Sequence, residues 1–216
     1  MADSTRLVLI RHGESRATVD EIVGGHDGCQ GLTDRGRRQA ETLRDRLVAT
    51  GELADTAALY ASILPRAVET GEIIAPALGH PELVSDCAFC EQHPGEADGM
   101  SWAEYTERYR EERTGFDPYV ADAPGQESWA EFVARVGRSL REVTERHRGE
   151  TVVVACHGGV VISSMIAMLE LPVSRSPWTF TVENTSLTEW VNAGQHWALT
   201  RFSDSAHLGC VQLAPQ

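Results

Sequence analysis

The chain has 216 residues, 42% of them hydrophobic and 24% charged. That is the balance of an ordinary globular protein, long enough to bury one sizeable core. Its formal charge of −13, with no block of basic residues, excludes a general nucleic-acid or anionic-membrane binder. All 19 basic residues are arginine, so an anion site has to be built from a few convergent guanidinium groups.

Leu7-Val8-Leu9-Ile10 is an apolar run that predicts a short buried strand. The chain then turns polar at Arg11-His12-Gly13, putting a cation and an imidazole at the C-terminal end of that strand. In open α/β sheets this is the edge where ligands bind. Leu7–Ile10 is too short for the apolar region of a secretory signal, and a cytoplasmic location is expected. The five cysteines, at positions 29, 87, 90, 156 and 210, read as reduced thiols.

A glycine-rich loop covers 24–31, and Thr33 caps a helix running to about Thr50, where Gly51 stops it. Ala57–Ala61 predicts a second strand. Pro65 suits the first turn of a helix ending near Leu78-Gly79, and Leu83-Val84 predicts a third strand. Ser101 and Ser128 each stand three residues before a glutamate, the spacing of a capping box, and open helices over roughly 101–114 and 128–148. These two helices read as an inserted cap over the sheet, covering about 92–148 within one domain of 1–216.

Thr151–Cys156 is continuously apolar, as a buried parallel strand should be. It ends at His157-Gly158-Gly159, and a helix follows through Leu169. The stretch from Thr151 to Leu171 approaches membrane-spanning length, but His157 and the glycine pair divide it into strand, turn and helix. Ser186–Val191 and Trp197–Phe202 predict two last strands, separated by Asn192-Ala193-Gly194. Strands alternating with helices define an α/β fold: three layers, a mostly parallel sheet flanked by helices.

Cys87-x-x-Cys90 followed by His93 has part of a zinc spacing. With no second cysteine pair to complete a tetrahedral set, these read as ordinary thiols, and no metal site is expected. Trp102, Tyr105 and Tyr109, at helical spacing, read as the core of the cap.

Two predicted strands end in histidine followed by glycine. Arg66 follows the second strand, and Glu91 follows the third. One sheet edge would therefore collect two imidazoles, two guanidinium groups and a carboxylate. Together with Leu32-Thr33-Asp34-Arg35-Gly36, Gly125-Gln126-Glu127-Ser128-Trp129 and Asn184-Thr185-Ser186-Leu187, this pattern resembles the histidine phosphatase superfamily, the phosphoglycerate-mutase-like group.

The resemblance implies a phosphoric monoester hydrolase of the histidine acid phosphatase type, acting on small phosphorylated metabolites through phosphohistidine. His12 would be the nucleophile and Glu91 the proton donor. Arg11, Arg66, His157 and Gly158 would hold the phosphate. The chemistry fits these roles: phosphoryl transfer needs positioning and neutralised charge, which guanidinium forks supply, and an alkoxide leaving group needs an acid. No metal or cofactor is required. The partner is a small phosphomonoester, with neither nucleic acid nor membrane, and the family leaves a homodimer open.

Glu96 and Asp98 share Glu91's loop and are alternative acids. Thr18 and Ile22 stand where many members carry Asn and Arg, and His26 either compensates or lies at the rim. The competing readings are a cofactor-dependent phosphoglycerate mutase and an inactive phosphate- or protein-binding domain. A mutase needs extra cations in the cap, yet three arginines there face six acidic residues between Ser101 and Gln126.

Overall fold

The computed structural model describes residues 4–111, 115–174, 180–192 and 196–212. A single six-stranded sheet has the order β3-β2-β4-β1-β5-β6. Its strands are β1 (Thr5–Arg11), β2 (Thr56–Ala61), β3 (Leu83–Ser85), β4 (Thr151–Cys156), β5 (Leu187–Asn192) and β6 (Trp197–Asp204). β1 to β4 are mutually parallel, and β5 and β6 are added antiparallel at one edge. This is the expected mostly parallel α/β sheet. The apolar stretch 151–171 is a strand followed by a helix, and no helix among the described residues is long and apolar enough to cross a membrane.

Side chains alternate across a strand, so the two faces carry separate cores. Leu7, Leu9, Val152, Val154 and Cys156 point to one face, packed by α5 (Trp129–Arg146) and α6 (Gly158–Met168). Val8, Ile10, Leu59 and Val153 point to the other, covered by α2 (Asp34–Thr50) and α3 (Pro65–Ile74). β4 is buried along its whole length, and β1 and β4 both contribute side chains to each core.

Local chemistry sets the helix ends. Thr33 Oγ1 accepts from the Gly36 N–H at 3.0 Å, and Gly51 closes α2 at φ 65°. α3 stops earlier than expected: after Ile74 the chain tightens into a 3₁₀ turn, Ala75–Leu78, because Pro76 cannot donate to a continuing helix. A short helix that periodicity does not signal, α1 (Arg16–Val19), follows the first motif and is capped by Ser15.

The expected cap is the main correction. Both capping boxes form, at Ser101/Glu104 and Ser128/Glu131. Only α4 (Trp102–Tyr109) sits over the sheet edge, where Tyr105 packs with Val23, Ala97 and Ala123 in a small separate cluster. α5 buries Phe132, Val136, Leu140 and Val143 in the main core and is a layer of the sandwich rather than part of a cap. The end of the helix predicted over 101–114 and the Ala193-Gly194 turn lie in part outside the described residues.

Candidate active site

Parallel pairing of β1 with β4 matches Arg11 to Cys156, so the two strand-end histidines leave the sheet side by side. The His12 N–H donates to the Cys156 carbonyl at 2.9 Å, and the two rings meet edge to face, 5.2 Å between centroids. Arg66 enters from the first turn of α3. Its Nε–H faces both imidazoles, 3.2 Å from His12 Nε2 and 3.3 Å from His157 Nδ1. Its Nη1 donates to the Gly24 carbonyl at 2.8 Å.

These bonds assign the ring protons. His12 Nδ1 lies 2.6 Å from the Gly13 carbonyl and must carry the hydrogen, leaving the Nε2 lone pair toward Arg66. His157 Nδ1 accepts from Arg66, so its proton is on Nε2. That atom, like Arg11 Nε, is buried with no partner among the described residues. Two buried donors beside a cationic fork are suited to an anion. Burial, then Arg66 and Arg11, holds His12 well below the ordinary imidazole value of 6.5. The same causes, with His12 added, lower His157. Both rings are neutral at physiological pH.

Arg11, His12, Arg66, Glu91 and Gly158 line one cavity of about 390 Å³. His157 lies against its floor, fully buried. All the expected site residues are thus brought together. Ile22, Trp102, Tyr105 and Arg110 also line the cavity, as does Thr18, whose hydroxyl lies 2.9 Å from that of Ser15. Arg110 is the cap's cation among the described residues lining this cavity, and Asp122 pairs with it at 2.9 Å.

The carboxylates of the 90–99 loop separate cleanly. Glu91 faces the cavity, Oε2 accepting the Gly159 N–H and Oε1 the Gln92 N–H, each at 3.0 Å. Asp98 is a brace: its oxygens accept the backbone N–H groups of Gly25, Asp27 and Gly28 at 2.8, 2.9 and 3.0 Å. Glu96 is exposed and off the cavity. Gly158 and Gly159 open α6, where unpaired amides and the helix dipole favour negative charge. Of these two amides, that of Gly159 is taken by Glu91.

Sequence reading missed the outer supports. Arg135 on α5 makes a fork with Glu127 (2.9 and 2.7 Å) and donates to the Cys87, Ala88, Cys90 and Glu91 carbonyls at 3.1–3.3 Å. It fixes the backbone that carries Glu91. On the far side, Asn184 Nδ2 donates to the His12 carbonyl and the Thr185 N–H to that of Arg11, both at 2.9 Å. Thr185 does so at φ 54°, a costly conformation for a β-branched residue, with its hydroxyl 2.8 Å from His207 Nε2.

A parallel sheet with two histidines and two arginines at the carboxyl ends of its strands defines a phosphoryl-handling α/β protein. The family profile described as histidine phosphatase superfamily (branch 1) matches residues 7–205, and the chain belongs to that family. A metal-independent phosphoserine phosphatase of Arabidopsis thaliana is 28% identical over 213 residues, 97% of this chain and 86% of that protein. A 2,3-bisphosphoglycerate-dependent phosphoglycerate mutase of Brucella anthropi is 33% identical over 171 residues, 76% of this chain and 82% of its own length. Among solved structures, a mycobacterial glucosyl-3-phosphoglycerate phosphatase complexed with VO3 superposes with TM-score 0.75 at 25% identity. That match covers 91% of this chain and 98% of the other.

Proposed function

We propose that the protein is a phosphomonoesterase that hydrolyses small phosphorylated metabolites through a phosphohistidine on His12, with no metal in the chemical steps. The observation that carries this reading is the position of His12 Nε2. Its lone pair faces the Arg66 guanidinium in a cavity that Arg11 and Glu91 also line, with Arg11 Nε and His157 Nε2 buried and unpartnered among the described residues.

In the first step the Nε2 lone pair attacks phosphorus and the ester P–O bond breaks. The departing oxygen takes the proton of Glu91. In the second, Glu91 accepts a proton from water as the water oxygen attacks phosphorus. The P–N bond breaks, its electrons return to Nε2, and inorganic phosphate leaves. The guanidinium groups and His157 neutralise the equatorial oxygens in both steps. The histidine acid phosphatase type accords with a nucleophile that stays neutral well below pH 6.5.

The phosphoserine and glucosyl-3-phosphoglycerate phosphatases support hydrolysis of small substrates. The Brucella relative favours mutase chemistry. A mutase must grip a second anionic end, and the pairing of Arg110 with Asp122 argues against this. Given 3-phosphoglycerate with a bisphosphoglycerate primer, the protein should release inorganic phosphate faster than it forms 2-phosphoglycerate. Rapid quench should trap an acid-labile, alkali-stable phosphoprotein that His12→Ala abolishes. Turnover surviving in that variant would overturn the reading.

A further inference from the structure

Beside the cavity, two loops far apart in sequence bring four soft donor groups together. His26 comes from the glycine-rich loop, and Cys87, Cys90 and His93 from the loop before and after Glu91. One ligating atom from each lies within 4.8 Å of all the others. Cys87 Sγ is 3.4 Å from His93 Nε2 and 3.8 Å from His26 Nε2. Bond lengths of ~2.3 Å to sulfur and ~2.0–2.1 Å to nitrogen put tetrahedral ligand atoms about 3.3–3.8 Å apart. Two of the six separations already match edges of such a tetrahedron, and the other four, none above 4.8 Å, need only a modest contraction around an ion. The missing member of the Cys-x-x-Cys set is His26, supplied from 61 residues upstream.

We propose that His26, Cys87, Cys90 and His93 form a structural site for a tetrahedral, thiophilic divalent cation, Zn²⁺ in the first place, which clasps the two loops framing the active-site cavity. Two thiolates with two imidazoles are a donor set that suits Zn²⁺ and offers nothing to Mg²⁺ or Ca²⁺. The surroundings resemble an outer shell. Ser62 Oγ donates to Cys90 Sγ at 3.3 Å. With Nε2 toward the cysteine, His93 turns Nδ1 toward Glu127, 3.9 Å from Oε2. Asp98 holds the His26 loop through the three amide bonds already described.

Burial and the Cys90 neighbour push the Cys87 thiol up to about 12, while burial lowers His93. On binding, each thiol gives its proton to solvent as its S–metal bond forms, so affinity rises with pH. The ion lies off the reaction path. Cys90 adjoins Glu91, and Gly24, two residues before His26, holds Arg66. The clasp would steady the acid and the phosphate fork together.

The test is cation binding to the full chain under reducing conditions, with Co²⁺ as probe and Zn²⁺ as competitor. The expected result is about one equivalent of Co²⁺ with tetrahedral visible bands and sulfur-to-cobalt charge transfer, displaced by Zn²⁺. His26 is exposed, so His26→Ala should fold as the parent does. It should lose more than the 10–100-fold in affinity that outer-shell mutations cost. Cys87→Ser should remove the charge-transfer band, and Zn²⁺ should raise the melting temperature of the parent but of neither variant. Failure to bind, an octahedral cobalt spectrum, or binding indifferent to both substitutions would overturn the site. None of these readouts depends on phosphatase activity.

Discussion

Glu91 and Gly159 are locked together: the Gly159 N–H donates to Glu91 Oε2 at 3.0 Å, and a Cβ at Gly159 would overlap Glu91 Oε1. The second glycine of His157-Gly158-Gly159 is therefore a space the carboxylate occupies. A Cβ at Gly158 meets only the Arg11 side chain, Nε at 3.8 Å and Cδ at 3.9 Å, ordinary contact distances. Gly159→Ala should expel the carboxylate and lower turnover of an alkyl phosphate about 10²-fold or more, the scale of general acid catalysis. Gly158→Ala should change it far less. Steady-state kinetics of the pair checks the contrast, and equal losses would refute it.

Arg66 binds by geometry as well as by charge. Its Nε–H serves two imidazoles while Nη1 holds the Gly24 carbonyl. Lysine has no fork to reproduce this. Arg66→Ala should weaken vanadate or phosphate binding by about 1.5–3 kcal/mol, the scale of a hydrogen bond to a charged group. Arg66→Lys should recover little of it. Titration calorimetry with the oxyanion reads both.

The strand-end histidines, Arg66 and Glu91 were legible because each follows a predicted strand, and parallel strands deliver their ends to one edge. The role of α5 was not. Its capping box matches that of α4, and amphipathic spacing shows that one face is buried without showing on what. Arg135 was equally hidden, one arginine among many until the fold lays it under the loop carbonyls. His26 was missed as a metal ligand for a related reason: 61 residues separate it from Cys87, and contacts between the two loops, the Asp98 brace among them, close that distance only in the fold.

Proton uptake should follow burial. His12 and His157 sit well below 6.5 in the folded chain, and burial with Arg46 nearby lowers His207 to about 4. Unfolded imidazoles titrate near 6.5. Below that pH the unfolded chain binds protons the native one refuses, so stability is full above pH 6.5 and declines as pH falls toward the native values. Chemical denaturation from pH 7.5 to 5 should show the decline. Imidazole nitrogen NMR should find His12 neutral at pH 6.5, with its proton on Nδ1. A His12 ring half-protonated there would contradict the electrostatic account.

Arg135 forms a largely buried ion pair with Glu127, 15% and 12% exposed, while holding four loop carbonyls. Removing one member leaves the other charge uncompensated, at a cost of about 3–5 kcal/mol for fully buried pairs and less at this exposure. Arg135→Met should therefore lower the melting temperature. Where the protein remains folded, alkyl phosphates should lose more turnover than p-nitrophenyl phosphate, because Glu91 loses its footing. Equal losses on both would confine Arg135 to stability.

The two carboxylates Glu91 and Asp98 should fail in different ways. Glu91 faces the cavity, and Glu91→Gln removes the proton donor and keeps an acceptor for only one of the Gly159 and Gln92 amides, since its amide nitrogen cannot accept. Its phosphorylation step should slow about 10²–10⁴-fold on an alkyl phosphate. The loss should be much smaller on p-nitrophenyl phosphate, whose leaving group departs unprotonated. Because Glu91 also activates water in the second step, burst kinetics must separate the two. Asp98 spends its oxygens on three backbone amides of the 25–28 loop. Asp98→Asn weakens charge-assisted bonds worth about 1.5–3 kcal/mol each, and its amide nitrogen cannot accept. It should lower stability and loosen Gly24 from Arg66, weakening phosphate binding for every substrate alike. A leaving-group-dependent loss in Asp98→Asn, with Glu91→Gln silent, would exchange their roles.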